Sequence, residues 1–86
     1  MDINQLVLLV KSKIEKKILL QNIVIEDKTY LHKKHFSHQE GKFHLQLNIK
    51  SKELQKYNKI QATKKIYNIL DEEIKKYIHS IQILIN

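Results

Sequence analysis

Histidine is the residue type in this sequence of 86 residues that is best suited to metal chemistry, because there are five histidines and no cysteine. Three of them, His32, His35 and His38, lie within Lys28–Glu40, a stretch without helical or strand periodicity. We interpret this stretch as a long loop, and loops of this length in small domains are often functional. One His-x-x-His spacing in a loop is weak evidence alone: these histidines could hold zinc or copper, or they could belong to a mobile basic loop with no ligand.

A fourth histidine lies at the start of the clearest C-terminal pattern. Within Ile78–Ile85, three isoleucines (Ile81, Ile83 and Ile85) occupy alternate positions, which predicts a strand with one buried face. His79 has the same parity as these isoleucines, so we expect its ring on the core side at the beginning of the strand. Its side chain is then either a functional group or a hydrogen-bonded core histidine.

Hydrophobic spacing predicts the other elements. Asp2 can cap a helix over 3–17, and Ile23–Ile25 form a short strand that ends at Glu26 and Asp27. A second strand runs from Phe43 to Ile49, with His44 on its polar, solvated face. Two helical elements follow: a short turn that contains Leu54 and is capped by Ser51, and a helix over 59–76 that starts at a capping box. The acidic residues of that second helix are expected on its solvated face: Asp71, Glu72 and Glu73.

This element order, α-β-β-α-α-β, predicts one small α+β domain over residues 1–86. The first two strands should pair antiparallel and the last two should pair parallel, which gives a three-stranded mixed sheet with helices on one face. The parallel pair has a consequence for the histidines. The second and third strands then start at the same edge of the sheet, so the loop that carries His32, His35 and His38 lies over the edge where His79 sits.

The charge is strongly basic, with a net value of +7, and every basic residue is a lysine. Six of the lysines crowd the short helical turn and the start of the long helix: Lys50, Lys52, Lys56, Lys59, Lys64 and Lys65. They could grip the phosphates of a nucleic acid, or they could form an ordinary solvated face. The Gly-x-x-Gly loop of nucleic-acid-binding KH domains is missing, since Gly41 is the sole glycine.

Several functional classes find no support in the sequence. The longest apolar run, Leu6–Val10, is too short for a membrane span or a signal peptide, so we expect a soluble chain in the cytoplasm or in an organelle matrix. Glu72 and Glu73 are adjacent on a helix and cannot act as a catalytic carboxylate pair. No nucleophile with a partnering base can be traced, and we therefore expect a protein without enzymatic activity.

Taken together, these segments resemble the BolA-like family over nearly the whole chain. The stretch Ile25-Glu26-Asp27-Lys28-Thr29-Tyr30-Leu31-His32 is similar to that family's first strand end and loop start, where the pattern is hydrophobic-x-Asp-x-Ser-x-x-His. The segment from Gly41 to Ser51 resembles its second strand, and Ile78-His79-Ser80-Ile81 resembles its hydrophobic-His-Ala-Leu signature. Leu54-Gln55-Lys56 and Ala62-Thr63-Lys64 depart from the family pattern in the part likened to a helix-turn-helix, which weakens the case for DNA reading.

The resemblance implies a class II KH-like fold and a partnership with a monothiol glutaredoxin, with which a [2Fe–2S] cluster is shared. It implies His79 as one ligand and His32 as the second, with His35 as the alternate. The cysteine and glutathione ligands would come from the glutaredoxin. The implied role is iron–sulfur cluster trafficking or assembly, or iron signalling. A transcriptional regulator that binds nucleic acid through the lysines is the alternative, and the formation of a homodimer is left open.

Overall fold

The computed structural model describes residues 1–29 and 42–86 of the chain. In these residues three strands and four helices form a small α+β fold, which is the fold class that the sequence predicts. Along the chain the elements are α1 (Ile3–Lys17), β1 (Asn22–Asp27), β2 (Phe43–Lys50), α2 (Lys52–Gln55), α3 (Lys59–Ile69), α4 (Asp71–Lys76) and β3 (Ile78–Ile85). Among the helices of the described ranges, none is both long and apolar enough to cross a membrane.

The sheet has the order β1-β2-β3, and β2 is its central strand. As expected, β1 and β2 pair antiparallel, whereas β2 and β3 pair parallel. Phe43 is the register partner of Ile78, so β2 and β3 begin at the same edge of the sheet. This confirms the topology that should bring the loop ends and His79 to one edge.

The helices cover one face of this sheet. From β2, Leu45, Leu47 and Ile49 are buried in one cluster with apolar residues of the helices: Leu6, Val10, Ile14, Leu54, Ala62, Ile66 and Leu70. On α1 the buried positions follow helical spacing, and Asp2 caps the helix through a reciprocal capping box with Gln5. On the other face of the sheet, Val24 and Leu84 are exposed.

The predicted helix over 59–76 is in fact two helices that meet at Leu70, where the backbone leaves helical geometry (φ −99°, ψ 16°). The acidic run then forms the first turn of α4, a position where the helix dipole favours carboxylates. Glu73 was expected in solvent but is buried, and Lys13 Nζ lies 2.8 Å from its Oε2. Periodicity along one helix could not reveal this ion pair, because its cation lies on α1.

Ser51 joins three elements just beyond the end of β2. Its hydroxyl accepts a hydrogen bond from the Leu54 amide (3.1 Å), which confirms it as the N-cap of α2. The same hydroxyl donates to the backbone carbonyl of Leu19 (2.8 Å), in the turn after α1. Ser51 is fully buried, so its two partners replace the water that it loses on folding.

Candidate metal-binding site

A β-bulge places His79 at the edge of the sheet. Phe43 pairs with Ile78, but the next residue of β2, His44, pairs with Ser80, which leaves His79 as an extra residue in β3. His79 and Ser80 are both exposed, whereas Ile78 is buried. The expectation that His79 lies on the core side is therefore wrong. Parity assumes a regular ladder, and the bulge breaks the alternation at this residue.

His44 is the functional candidate that the sequence reasoning missed. It was expected to be solvated, yet only 3% of it is exposed. Its Nδ1 lies 2.6 Å from the hydroxyl oxygen of Ser80, and its ring centroid lies 4.9 Å from that of His79 in an edge-on arrangement of 62°. Alternation assigned His44 to the correct face of the strand, but it did not predict that this residue is buried there. The parallel register was the signal that could have found it, because His44 and His79 both lie near the starts of neighbouring strands.

A hydrogen-bond chain ties the end of β1 to the start of β2. The Asp27 carboxylate accepts from both the backbone N–H (3.0 Å) and the hydroxyl of Thr29. The Thr29 hydroxyl oxygen in turn accepts from the backbone N–H of His44 (3.1 Å), and the Lys28 amide donates to the His44 carbonyl (2.7 Å). Thr29 is buried. These hydrogen bonds therefore hold the polypeptide in a defined position beside the two histidines at the point where it leaves β1.

The described residues on both sides of segment 30–41 lie at this same edge. Thr29 is bonded to the start of β2, and Phe43, which follows Lys42, pairs with Ile78. His32, His35 and His38 lie outside the described residues. The structure thus places the residues that flank this segment, Thr29 and Lys42, at the edge where His79 lies.

A cavity of about 340 Å³ with both polar and apolar walls lies beside His44. Its other lining residues are Lys28, Leu45, Gln46, Ser80, Ile81 and Gln82. Lys28 Nζ lies 3.0 Å from a carboxylate oxygen of Glu26. Within residues 1–29 and 42–86, no three or more His, Cys, Asp or Glu side chains come together as a metal site.

The six lysines of the alternative interpretation lie away from this edge. They begin at the last residue of β2 and continue over α2 and α3, and all six are exposed: Lys50, Lys52, Lys56, Lys59, Lys64 and Lys65. None of them forms an ion pair with a carboxylate of the described residues. Lys65 Nζ instead lies 4.6 Å from the ring centroid of Tyr57.

Comparison with known proteins agrees with this architecture. The sequence profile of the BolA-like protein family matches residues 14–86, and the chain therefore belongs to the BolA-like family. Its structure is similar to the BolA domain of SufE1 from Arabidopsis thaliana, with a TM-score of 0.77 and 25% sequence identity over 92% of this chain and 87% of that chain. It is also similar to BolA1 from Arabidopsis thaliana, with a TM-score of 0.73 and 26% identity over 88% and 83% of the two chains. No match was found among curated protein sequences.

Proposed function

We propose that this BolA-like protein shares a [2Fe–2S] cluster with a monothiol glutaredoxin and acts in iron–sulfur cluster trafficking or assembly, or in iron signalling, without catalysing a reaction. The observation that carries the proposal is the bulge at His79. It exposes an imidazole at the edge of the sheet where Thr29 and Lys42, the described residues on either side of the histidine-containing segment 30–41, also lie. A ligand that faces a second protein must be accessible, and His79 meets that requirement.

The side chains of this protein can supply the ligands of only one of the two irons in such a cluster. In known [2Fe–2S] centres of mixed ligation, two histidines bind one iron and thiolates bind the other. This chain has histidines but no cysteine, so a partner must supply the thiolates. A glutaredoxin cysteine and glutathione would fill that half. When bound, the cluster would supply transferable iron and one-electron redox chemistry.

The second imidazole would come from segment 30–41, with His32 as the first candidate and His35 as the alternate. His44 is the other histidine in the described part of the chain, but it is buried and its Nδ1 contacts Ser80. We assign it the role of a positioning residue, because its ring packs edge-on against His79 and limits the orientations open to that exposed ring.

Reconstitution tests the proposal directly. The protein is mixed with a monothiol glutaredoxin, glutathione, ferrous iron and sulfide without oxygen, and visible absorption and circular dichroism spectra are recorded. We expect a spectrum that differs from that of the glutaredoxin homodimer, because histidine would replace part of its ligand set. His79→Ala should abolish the new spectrum. Gln82→Ala, an exposed polar position of the same strand, is the matched control and should leave it intact.

The loop ligand is assigned by the same assay. His32→Ala and His35→Ala are compared singly, and the one that removes the heterocomplex spectrum identifies the second ligand. If the glutaredoxin spectrum is unchanged by the wild-type protein, or if His79→Ala retains the new spectrum, the proposed cluster site is wrong.

Nucleic-acid binding is the second candidate function, and the observation that favours it is the exposed run of lysines from Lys50 to Lys65. These lysines are not neutralised by any described carboxylate, so they remain available to phosphate groups. Binding of this kind weakens steeply with salt because counterions are released on association. It should survive His79→Ala and should be lost when Lys56 and Lys64 are replaced by glutamate, which is the reverse of the pattern expected for cluster sharing.

A further inference from the structure

The outer edge of β3 presents backbone groups that no strand of the described residues pairs with, since the sheet order ends at β3. The Asn86 amide donates to the Ile49 carbonyl (2.8 Å), and the Asn86 carbonyl accepts from the Ser51 amide, so Asn86 faces β2. Successive residues of a strand direct their backbone groups to opposite sides. Ile85, Ile83 and Ile81 therefore point their N–H and C=O groups outward, along the free edge.

This edge has little of the usual protection against pairing. Proteins commonly guard edge strands with charged residues, prolines, bulges or a covering element. β3 contains no charged residue and no proline. Its bulge lies at His79, and the Tyr67 hydroxyl donates to the outward carbonyl of Ile81 (3.2 Å). Both features protect the first half of β3, whereas no strand of residues 1–29 or 42–86 pairs with the outward groups of the second half, around Ile83 and Ile85.

A groove borders this available half. Lys59, Thr63 and Tyr67 follow one another at four-residue intervals along α3, on the side of the helix that faces β3. Lys59 and Thr63 line a cavity of about 240 Å³ together with the last residues of the chain, Ile83, Leu84, Ile85 and Asn86, and with Asn48. The cavity is therefore formed directly beside the outward backbone groups.

The charged side chain that lines this cavity is that of Lys59. α3 also carries the exposed Lys64, and neither α3 nor β3 contains a carboxylate. Apolar side chains are exposed on the same two elements: 69% of Ile60, 39% of Tyr67 and 38% of Leu84. A binding surface with these properties favours a segment that combines acidic and apolar residues.

We propose that the groove between β3 and α3 binds an extended, acidic segment of a partner protein as a fourth strand of the sheet. The outward groups of Ile83 and Ile85 supply the backbone hydrogen bonds, as in other cases of strand addition. An apolar side chain of the segment occupies the cavity, and its carboxylates face Lys59 and Lys64. The groove lies at the opposite end of β3 from His79, so this surface does not depend on the proposed cluster site.

Two other occupants fit the groove less well. A second copy of this chain would bring two molecules of net charge +7 together and would place their α3 lysines near each other. A nucleic acid would be attracted by the lysines. It lacks, however, the peptide N–H and C=O groups that an extended strand presents at every second residue, and these are the groups that pair with Ile83 and Ile85. Both alternatives are distinguished in the experiment.

Amide hydrogen exchange, measured by NMR on the isotopically labelled protein, tests the proposal. The probe is a short peptide in which valine and glutamate alternate. We expect it to slow exchange at Ile83 and Ile85 by about tenfold or more, because their amides gain a partner. Gln82 and Leu84 should change much less, since their amides already face β2. A valine–lysine peptide and a serine–glutamate peptide are the controls, and neither should protect these amides.

A pair of variants isolates the backbone contribution. Ile85→Pro removes an outward N–H without removing a bond to β2, whereas Ile85→Ala shortens the same side chain and keeps the N–H. We expect Ile85→Pro to weaken peptide binding by about tenfold relative to Ile85→Ala, the size of one lost hydrogen bond. If the proline variant does not fold, the exchange pattern of the wild-type protein decides.

Four results would overturn the proposal. The serine–glutamate peptide could protect Ile83 and Ile85 equally well, which would reduce the effect to charge alone. An oligothymidylate could protect the same two amides and displace the peptide, which would identify the groove as a nucleic-acid site. Sedimentation could reveal a dimer in which these amides are already protected, which would make a second copy the occupant. Lastly, the valine–glutamate peptide could leave both amides unchanged.

Discussion

The two ends of β2 each bury one polar side chain, and the two residues differ in what surrounds them. At the carboxyl end, Ser51 is fully buried and its hydroxyl bonds to Leu19 and Leu54, both through their backbones. At the amino end, His44 is buried against the exposed ring of His79 and contacts Ser80, which is also exposed. The buried side chain at the carboxyl end contacts only backbone groups of neighbouring segments, whereas the one at the amino end contacts two exposed side chains.

This difference is the one expected between a structural polar group and a group that belongs to the proposed binding site. Ser51 needs no further partner to explain its burial, because three elements meet at its hydroxyl. The His44 end has features that stability alone does not require, namely a bulge that turns an imidazole outward and a hydrogen-bond chain that fixes Thr29 beside the start of β2. Variants at the Ser51 end should therefore change stability, whereas His79 should affect binding.

The largest loss of stability is expected for Ser51→Ala. It removes the N-cap of α2 and leaves the buried Leu54 amide and Leu19 carbonyl without the serine hydroxyl, which should cost about 1–3 kcal/mol. Urea denaturation followed by circular dichroism measures the free energy of unfolding. Ser12→Ala, an exposed position within α1, is the matched control and should change that free energy by no more than about 0.5 kcal/mol. Equal effects of the two variants would contradict the structural role of Ser51.

Thr29→Val tests the connection between β1 and the His44 end. The substitution keeps the side-chain volume but removes the hydroxyl that lies between Asp27 and the His44 amide, so we expect a loss of about 1–2 kcal/mol in the free energy of unfolding. Thr29→Ser retains the hydroxyl and should lose less. The cluster spectrum should also weaken in the folded Thr29→Val protein, because Thr29, which directly precedes segment 30–41, is no longer bonded to the start of β2. A normal spectrum would show that this anchor is dispensable for binding.

The fold could be predicted from the sequence because its signals are local. Apolar residues at helical spacing defined α1, strict alternation defined β2, and the element order then favoured the parallel pairing with β3 that the structure has. The break at Leu70 could not be predicted in this way, because the apolar stripe continues through it. The burial of Glu73 depends on Lys13, sixty residues away in sequence.

The site was predicted less completely, since it depends on irregular geometry. Parity gave the wrong side for His79 because one extra residue in β3 shifts the alternation. It also gave solvent exposure for His44, because alternation specifies the face of a strand but not what covers that face. The topology nevertheless predicted that β2 and β3 start at the same edge, and that expectation is confirmed. The position of His32, His35 and His38 over that edge stays a prediction, because these residues lie outside the described ranges.

The ion pair between α1 and α4 should make the free energy of unfolding depend on pH in the alkaline range. The hydrogen bond from Lys13 to the carboxylate of Glu73 raises the pKa of Lys13 above its usual value of 10.5, although burial opposes the shift. Because the folded-state pKa is the higher one, the ion pair contributes its full stability below the unfolded pKa, and that contribution is lost as the pH rises through the folded pKa. The free energy of unfolding should therefore decline above about pH 10.5. The double variant Lys13→Met, Glu73→Gln should decline less steeply, and an unchanged slope would assign the effect to other groups.

The smallest effect on stability is expected for His79→Ala. The side chain is exposed and belongs to a bulge, so its removal should change the free energy of unfolding by no more than about 0.5 kcal/mol. His44→Ala removes a buried ring and its contact with Ser80, and it should cost several times as much. Denaturation and reconstitution of both proteins then give opposite rankings: His79→Ala is stable and lacks the heterocomplex spectrum, while His44→Ala is weakened in stability and retains part of that spectrum when folded. If His79→Ala proved as destabilising as His44→Ala, His79 would be a structural residue like Ser51, and the distinction between the two ends of β2 would fail.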